Sequence, residues 1–211
     1  VQNARDHGVS LGFFGGNDVF DQIRLLPSSN GPRRVIVCYK DVPLDPLYKH
    51  QNSQVTTSWR NPLLGRPEQT LMGEMSESWF NTAFPLKVVN TSNRLFADTG
   101  LHDGSSISGV VGYEYDRVFP NFPKPKGLVI LAASPVVTFE GKHSVSNATF
   151  YVAQSGASVF DAGSIEWAWG VDDDTINAGL NAWSIHHAAN PALQRLNANI
   201  LAAFIRPRPH A

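Results

Sequence analysis

The residues best equipped for chemistry lie in one run, Gly109-Val110-Val111-Gly112-Tyr113-Glu114-Tyr115-Asp116-Arg117. An apolar strand there runs into two phenols, two carboxylates and a guanidinium. Alternation predicts Tyr113 and Tyr115 on one face and Glu114 and Asp116 on the other. A carboxylate at a strand end, partly desolvated and beside an arginine, can act as a base, a metal ligand or a substrate anchor. A buried ion pair of Glu114 or Asp116 with Arg117 or Arg34 would place the same residue types together with no chemistry at all.

Two other stretches carry usable groups. Gly15-Gly16-Asn17-Asp18 follows a dense apolar run at residues 9–14, so it sits just past the C-terminal end of a strand, where open α/β sheets build their sites. The Asn17 amide can donate and accept while the glycines admit a close backbone approach, although a plain turn uses the same letters. In Tyr39-Lys40-Asp41 the ammonium either polarises a carbonyl or forms a solvated pair. Asp172-Asp173-Asp174-Thr175 lacks the alternating ligands of a calcium loop and reads as a solvated turn, and His186-His187 cannot both face one metal from adjacent helix positions.

Composition excludes several classes. With 211 residues, 42% apolar and 10% aromatic, the chain can bury a core as one globular domain, and a net charge of -1 provides no field for nucleic acid or an anionic membrane. The longest apolar stretch, residues 127–137, is too short to span a bilayer and contains Pro135. Cys38, the one cysteine, excludes an intrachain disulfide and is expected to be a buried thiol. Asn90-Thr91-Ser92 and Asn147-Ala148-Thr149 match the N-glycosylation pattern, which would be used if the soluble chain is secreted.

The elements that must position these groups follow from pattern. Residues 1–7 read as the last turns of a helix closed by Gly8, so the chain is expected to begin inside a domain whose earlier part lies upstream. Residues 9–14 read as a strand buried on both faces, and 21–26 with 34–39 as two strands joined by a loop from Pro27 to Pro32. A long ordered loop, 41–69, contains one short strand at 55–59, and short strands follow at 71–75, 86–89 and 95–97. After a core strand at 127–131, an antiparallel set is expected at 136–139, 148–154, 158–160 and 164–169, lined by Phe150, Tyr151, Trp167 and Trp169. A final helix starts at Asn190 (cap) and Pro191, carries Leu193, Leu196, Ile200, Leu201 and Phe204 as its apolar stripe, and stops at Pro207.

The ordered series from Gly8 to Asn17, Cys38-Tyr39-Lys40-Asp41, Thr56-Thr57-Ser58-Trp59-Arg60, Arg66-Pro67-Glu68, Gly100-Leu101-His102-Asp103-Gly104, Gly112-Tyr113-Glu114-Tyr115-Asp116 and Trp167-Ala168-Trp169-Gly170 resembles the C-terminal domain of the large, beta-type subunit of N,N-dimethylformamidase and its relatives. That resemblance implies an α/β fold, a partial class I glutamine-amidotransferase-like (flavodoxin-like) sheet with an antiparallel β extension and a C-terminal helix. It implies amide hydrolysis assisted by an iron that two tyrosines and a glutamate hold upstream, with no metal ligand in this segment. Carried over by position, Glu114 is the polar partner of the metal-bound water or amide, Lys40 and Asn17 orient it, and Phe150 lines the substrate pocket; Tyr113 joins them as a substrate-binding candidate. Asp18-Val19-Phe20-Asp21 departs from the Tyr-Trp usual after the asparagine, which leaves the substrate open. The partners expected are an upstream segment or another chain, a small-molecule substrate and a further copy in an oligomer. Two rival readings remain: a catalytically silent carbohydrate- or peptide-binding module with Trp59, Trp167 and Trp169 in an exposed row, and a structural subunit with an open apolar face.

Overall fold

The computed structural model describes residues 1–172 and 189–205. Helix α1 (Gln2–Asp6) ends as its sequence predicts, because Gly8 takes the left-handed conformation (φ 85°) and lets two N–H groups turn back. Gly8 donates to the Arg5 carbonyl at 2.8 Å and Val9 to that of Ala4 at 2.8 Å, satisfying carbonyls the helix leaves open. The chain then enters β1 (Leu11–Phe13).

The main sheet has the order β1-β8-β7-β6, with β7 (His143–Val152) antiparallel to both of its neighbours, β6 (Val129–Val137) and β8 (Ser158–Asp161). β1 pairs parallel with β8, Leu11 opposite Val159. The architecture is mixed α/β, mostly sheet, and β1–β8 is the parallel pair among the described residues. β1 is an edge strand rather than one buried on both faces, with Val9 before it 55% exposed.

A second layer comes from β4 (Met75–Lys87) and β5 (Ser106–Arg117), a long antiparallel ribbon stitched to the main sheet by bridges Val88–Ala132 and Tyr115–Ser164. The short strand expected at 71–75 is instead the turn into this ribbon: α2 (Gln69–Met72) closes on Gly73 at φ 109°, and β4 then runs unbroken for 13 residues. Its polar Ser76, Glu77 and Ser78 hide the apolar alternation that would have announced it. Residues 94–96 and 165–170 form 3-10 turns, not strands; the second is capped by the Ser164 hydroxyl, which accepts from the Glu166 N–H at 3.2 Å. The packed interior gathers Phe80, Val110, Val111 and Tyr115 of the ribbon with Leu131, Phe150, Phe160 and Trp167.

β2 (Arg24–Ser28) and β3 (Gly31–Val37) form a separate two-stranded ribbon with a turn at Ser29-Asn30. Pro27 and Pro32 therefore lie within strands, tolerated because a two-stranded ribbon has free edges that need no N–H. Cys38 sits at the exposed end of this ribbon, so the expected burial of its thiol is not what forms; β2 and β3 are largely exposed, and the sulfur reaches Asp21 Oδ2 at 3.8 Å. Residues 55–59 make no strand, only a bridge from Ser58 to Asp21.

Helix α3 (Pro191–Ile205) docks through Leu193, Leu196, Ile200 and Ala203. Phe204 is half-buried and Leu201 is 47% exposed, so the stripe is narrower than predicted and completed by Ala203. Asn190 caps it, its Oδ1 accepting from Ala192 at 3.0 Å and Leu193 at 3.1 Å. Asn190→Ala is expected to lower the unfolding free energy by about 1 kcal/mol in a urea titration with an unchanged m-value. Pro207, His186, His187 and residues 173–175 lie outside the described residues. Among those described, no helix is long and apolar enough to cross a membrane.

Candidate functional site

Because β1 and β8 run parallel, the segments that leave their C-terminal ends travel side by side. The Ala162 N–H donates to the Phe13 carbonyl and the Ser164 N–H to that of Gly15, each at 2.8 Å. The end of β5 is sewn to the same place: Asp116 N–H donates to the Gly163 carbonyl at 3.0 Å, and the Ser164 hydroxyl accepts from Gly112 N–H at 2.9 Å. Gly16 is pressed on this strand so closely that a Cβ would come within 2.7 Å of the Glu114 carbonyl oxygen and 3.3 Å of the Ile165 nitrogen. Position 16 therefore has no room for a side chain.

Asn17 stands at the centre, in the left-handed region at φ 61°. Its main-chain N–H donates to Asp116 Oδ1 at 2.7 Å and its Nδ2 donates to Glu114 Oε2 at 3.2 Å. Both carboxylates thus reach one residue, as alternation predicts. The phenols separate: Tyr113 adopts φ 47° and is 37% exposed beside Trp79, whereas Tyr115 is buried, stacked on Phe80 at 5.1 Å, and donates its hydroxyl to Glu77 at 2.7 Å. Burial raises the Tyr115 phenol well above its ordinary range. Arg117 pairs with Glu77 at 2.9 Å, and Arg34 forms no ion pair among the described residues, so the buried pair with Glu114 or Asp116 is not formed.

Behind Asn17 lies an acidic interior. Asp116, Asp161 and Glu74 are all fully buried. Asp116 Oδ2 and Asp161 Oδ2 have no hydrogen-bonding partner among the described residues, and the Glu74 carboxyl lies by the Thr149 hydroxyl. Burial raises Asp116 to about 7, opposed by the Asn17 N–H and helped by the Asp18 charge. Burial, then mutual repulsion, drives Glu74 and Asp161 well above the carboxylate range. Glu166, packed where a Gly112 Cβ would fall, is raised to about 7 by burial alone. Alternation arguments on the sequence overlook Glu74, Asp161 and Glu166; the signal that could have found them is an acid set between apolar or glycine neighbours, as in Val159-Phe160-Asp161-Ala162.

The other expected residues fall elsewhere. Lys40 is exposed at φ 63°, with its carbonyl held by the Thr57 hydroxyl at 2.9 Å and its ammonium in no ion pair among the described residues. Phe150 is 5% exposed and packs in the core between its strand partners Val129 and Phe160. Asn90 is exposed, but Asn147 is buried with its amide engaged, Oδ1 accepting from Val118 N–H at 3.0 Å and Nδ2 donating to the Ala132 carbonyl at 3.2 Å, which leaves it no surface for a glycan. Trp167 is buried, and Trp59 and Trp169 are half-buried, so these three form no exposed row. Among the described residues, no three His, Cys, Asp or Glu side chains converge as ligands for a metal ion. A cleft of about 340 Å³ beside α1, lined by Gln2, Val19, Trp59 and Arg66, takes in neither Asn17 nor Glu114.

The family model described as N,N-dimethylformamidase beta subunit-like, C-terminal, matches residues 1–181. Comparison with curated proteins finds no match.

Proposed function

The chain belongs to the N,N-dimethylformamidase beta subunit-like, C-terminal family, and from that premise we propose that it is the C-terminal portion of a hydrolase that cleaves a small amide at its C–N bond. The observation that carries this reading is the half-exposed Glu114 carboxylate, tied through Oε2 to Asn17 at the C-terminal ends of the parallel strands. A carboxylate held by one oxygen keeps the other for proton transfer. In this role Glu114 takes a proton from the water that attacks the amide carbon and returns it to the departing amine, while the Asn17 carboxamide fixes its direction.

The finer fold reading, a glutamine-amidotransferase-like sheet, is supported by α1 leading directly into the parallel β1–β8 pair. Iron, which the resemblance implies, is not matched by a ligand set among the described residues, and the roles above are independent of it.

The test is amine release by the full-length protein from a panel of small amides, N,N-dimethylformamide first. Glu114→Gln retains the acceptor for Asn17 but cannot carry the proton, and it is expected to lower kcat at least about 100-fold. A wild-type protein inert towards the whole panel, or a Glu114→Gln variant that keeps the full rate, overturns the reading.

A further inference from the structure

We propose that Asp116 is a positioning residue of this site: its carboxyl grips the Asn17 main-chain N–H and so holds the turn that aims the Asn17 carboxamide at Glu114. The inference rests on the hydrolase reading and deepens it.

Three observations support it. First, the contacts close a ring. Glu114 and Asp116, two apart on β5, hold respectively the side chain and the main chain of one asparagine, at 3.2 and 2.7 Å, and the strand backbone completes the circuit. Removing either contact frees Asn17 to rotate away from the other. Second, the turn needs an anchor. Asn17 at φ 61° and Val19 at φ 52° are both left-handed, and for β-branched Val19 this is a true outlier. Such strain persists only where the surroundings over-determine it. The Ser164 N–H holds Gly15 from one side, and Asp116 holds Asn17 from the other.

Third, Asp116 is an expensive residue for so modest a contact. It is fully buried, its Oδ2 has no partner among the described residues, and the carboxyls of Asp161, Glu74, Asp18 and Glu68 disfavour its ionised form while Arg60 favours it. Burial that keeps its proton to about pH 7 leaves Oδ1 an acceptor in either protonation state. Asp116 itself reaches no surface and so cannot touch a substrate.

The experiment uses the full-length protein and compares Asp116→Ala, which deletes the acceptor, with Asp116→Asn, which keeps an oxygen at Oδ1. Asp116→Ala is expected to lower kcat for amide hydrolysis about 10-fold or more with KM within about 2-fold, and Asp116→Asn to recover most of the loss. In an Asn17→Gly background, where the left-handed backbone is kept and the carboxamide is gone, Asp116→Ala should lower kcat no further. Losses that multiply in this cycle, or no recovery by Asp116→Asn, overturn the proposal.

Two readouts stand apart from activity. Hydrogen exchange at the Asn17 N–H should accelerate about 10-fold or more in Asp116→Ala and stay near wild type in Asp116→Asn. In the unsubstituted protein, scalar coupling across the hydrogen bond from the Asn17 nitrogen to the Asp116 carboxyl carbon should be detectable, a measurement no folding defect can spoil. A protein that hydrolyses no amide yet shows both signals overturns the hydrolase reading and leaves the clamp standing. Missing coupling, or equal exchange in the two variants, overturns the clamp.

Discussion

Raising the pH from 5 to 8 is expected to cost this protein on the order of 4 kcal/mol of stability. Asp116 moves from an ordinary 3.8 to about 7 on folding, and Glu166 from 4.5 to about 7, in both cases because burial penalises the charged form. A group whose affinity for its proton rises on folding stabilises fully below its unfolded pKa, and that contribution is lost as pH climbs through the folded value. The loss therefore runs from about pH 4 to about pH 7 for these two. Glu74 and Asp161, raised further, extend it to higher pH. Each factor of ten in proton affinity is worth about 1.36 kcal/mol, so either carboxyl supplies on the order of 2–4 kcal/mol. Asp45 acts in the opposite sense. Although its own burial opposes this, the Arg24 guanidinium at 2.7 Å and the Thr56 N–H and hydroxyl hold it below its ordinary value, and that stabilisation disappears only in acid, below about pH 4. Stability should peak near pH 4, where the fall on the alkaline side begins and the loss of the Asp45 contribution on the acid side has not. Urea titrations at pH 4, 5, 6, 7 and 8 measure the curve, and Glu166→Gln should flatten part of the alkaline fall; a plateau or a rise from pH 5 to 8 refutes the assignment of these carboxyls as protonated.

What could be read from the chain beforehand divides along a physical line. Local signals held: Gly8 as the end of α1, Asn190-Pro191 as the start of α3, and the shared face of Glu114 and Asp116 all depend on neighbours a few residues away. Long-range pairing did not. β4 is held by its partner β5 over residues whose own alternation is broken, and Phe150 looks like a pocket residue until β8 places Phe160 against it. Asp161 and Glu74 are invisible for the same reason, since nothing in Gly73-Glu74-Met75 says that β8 ends beside it. Tyr113 departs from Tyr115 because one left-handed residue shifts the pleat, and no periodicity argument foresees a single positive φ at a tyrosine.

Gly163→Ala is expected to abolish folding at room temperature or to cost at least about 4 kcal/mol. Gly163 has φ 62°, a conformation that costs an alanine roughly 1–2 kcal/mol by itself. The greater cost is spatial: the added Cβ would overlap the Asn147 carbonyl oxygen and lie 2.9 Å from Glu74 Oε2, and neither can yield, because one is backbone in the middle of β7 and the other is a fully buried side chain. Gly141 isolates the two contributions. It has φ 78°, and a methyl group added there would meet nothing within 4 Å, so Gly141→Ala should lose only the conformational part, roughly 1 kcal/mol. Thermal melts of the two variants beside wild type decide the matter, and equal losses would refute the steric account. The position also bears on the site. The Gly163 carbonyl receives the Asp116 N–H and its own N–H donates to Asp161 Oδ1 at 3.0 Å, so pushing this residue outward pulls on the strand that carries Glu114. A Gly163→Ala protein rescued at low temperature should therefore show fast exchange at the Asn17 N–H, because Asp116, which accepts from that N–H, is itself held by the Gly163 carbonyl.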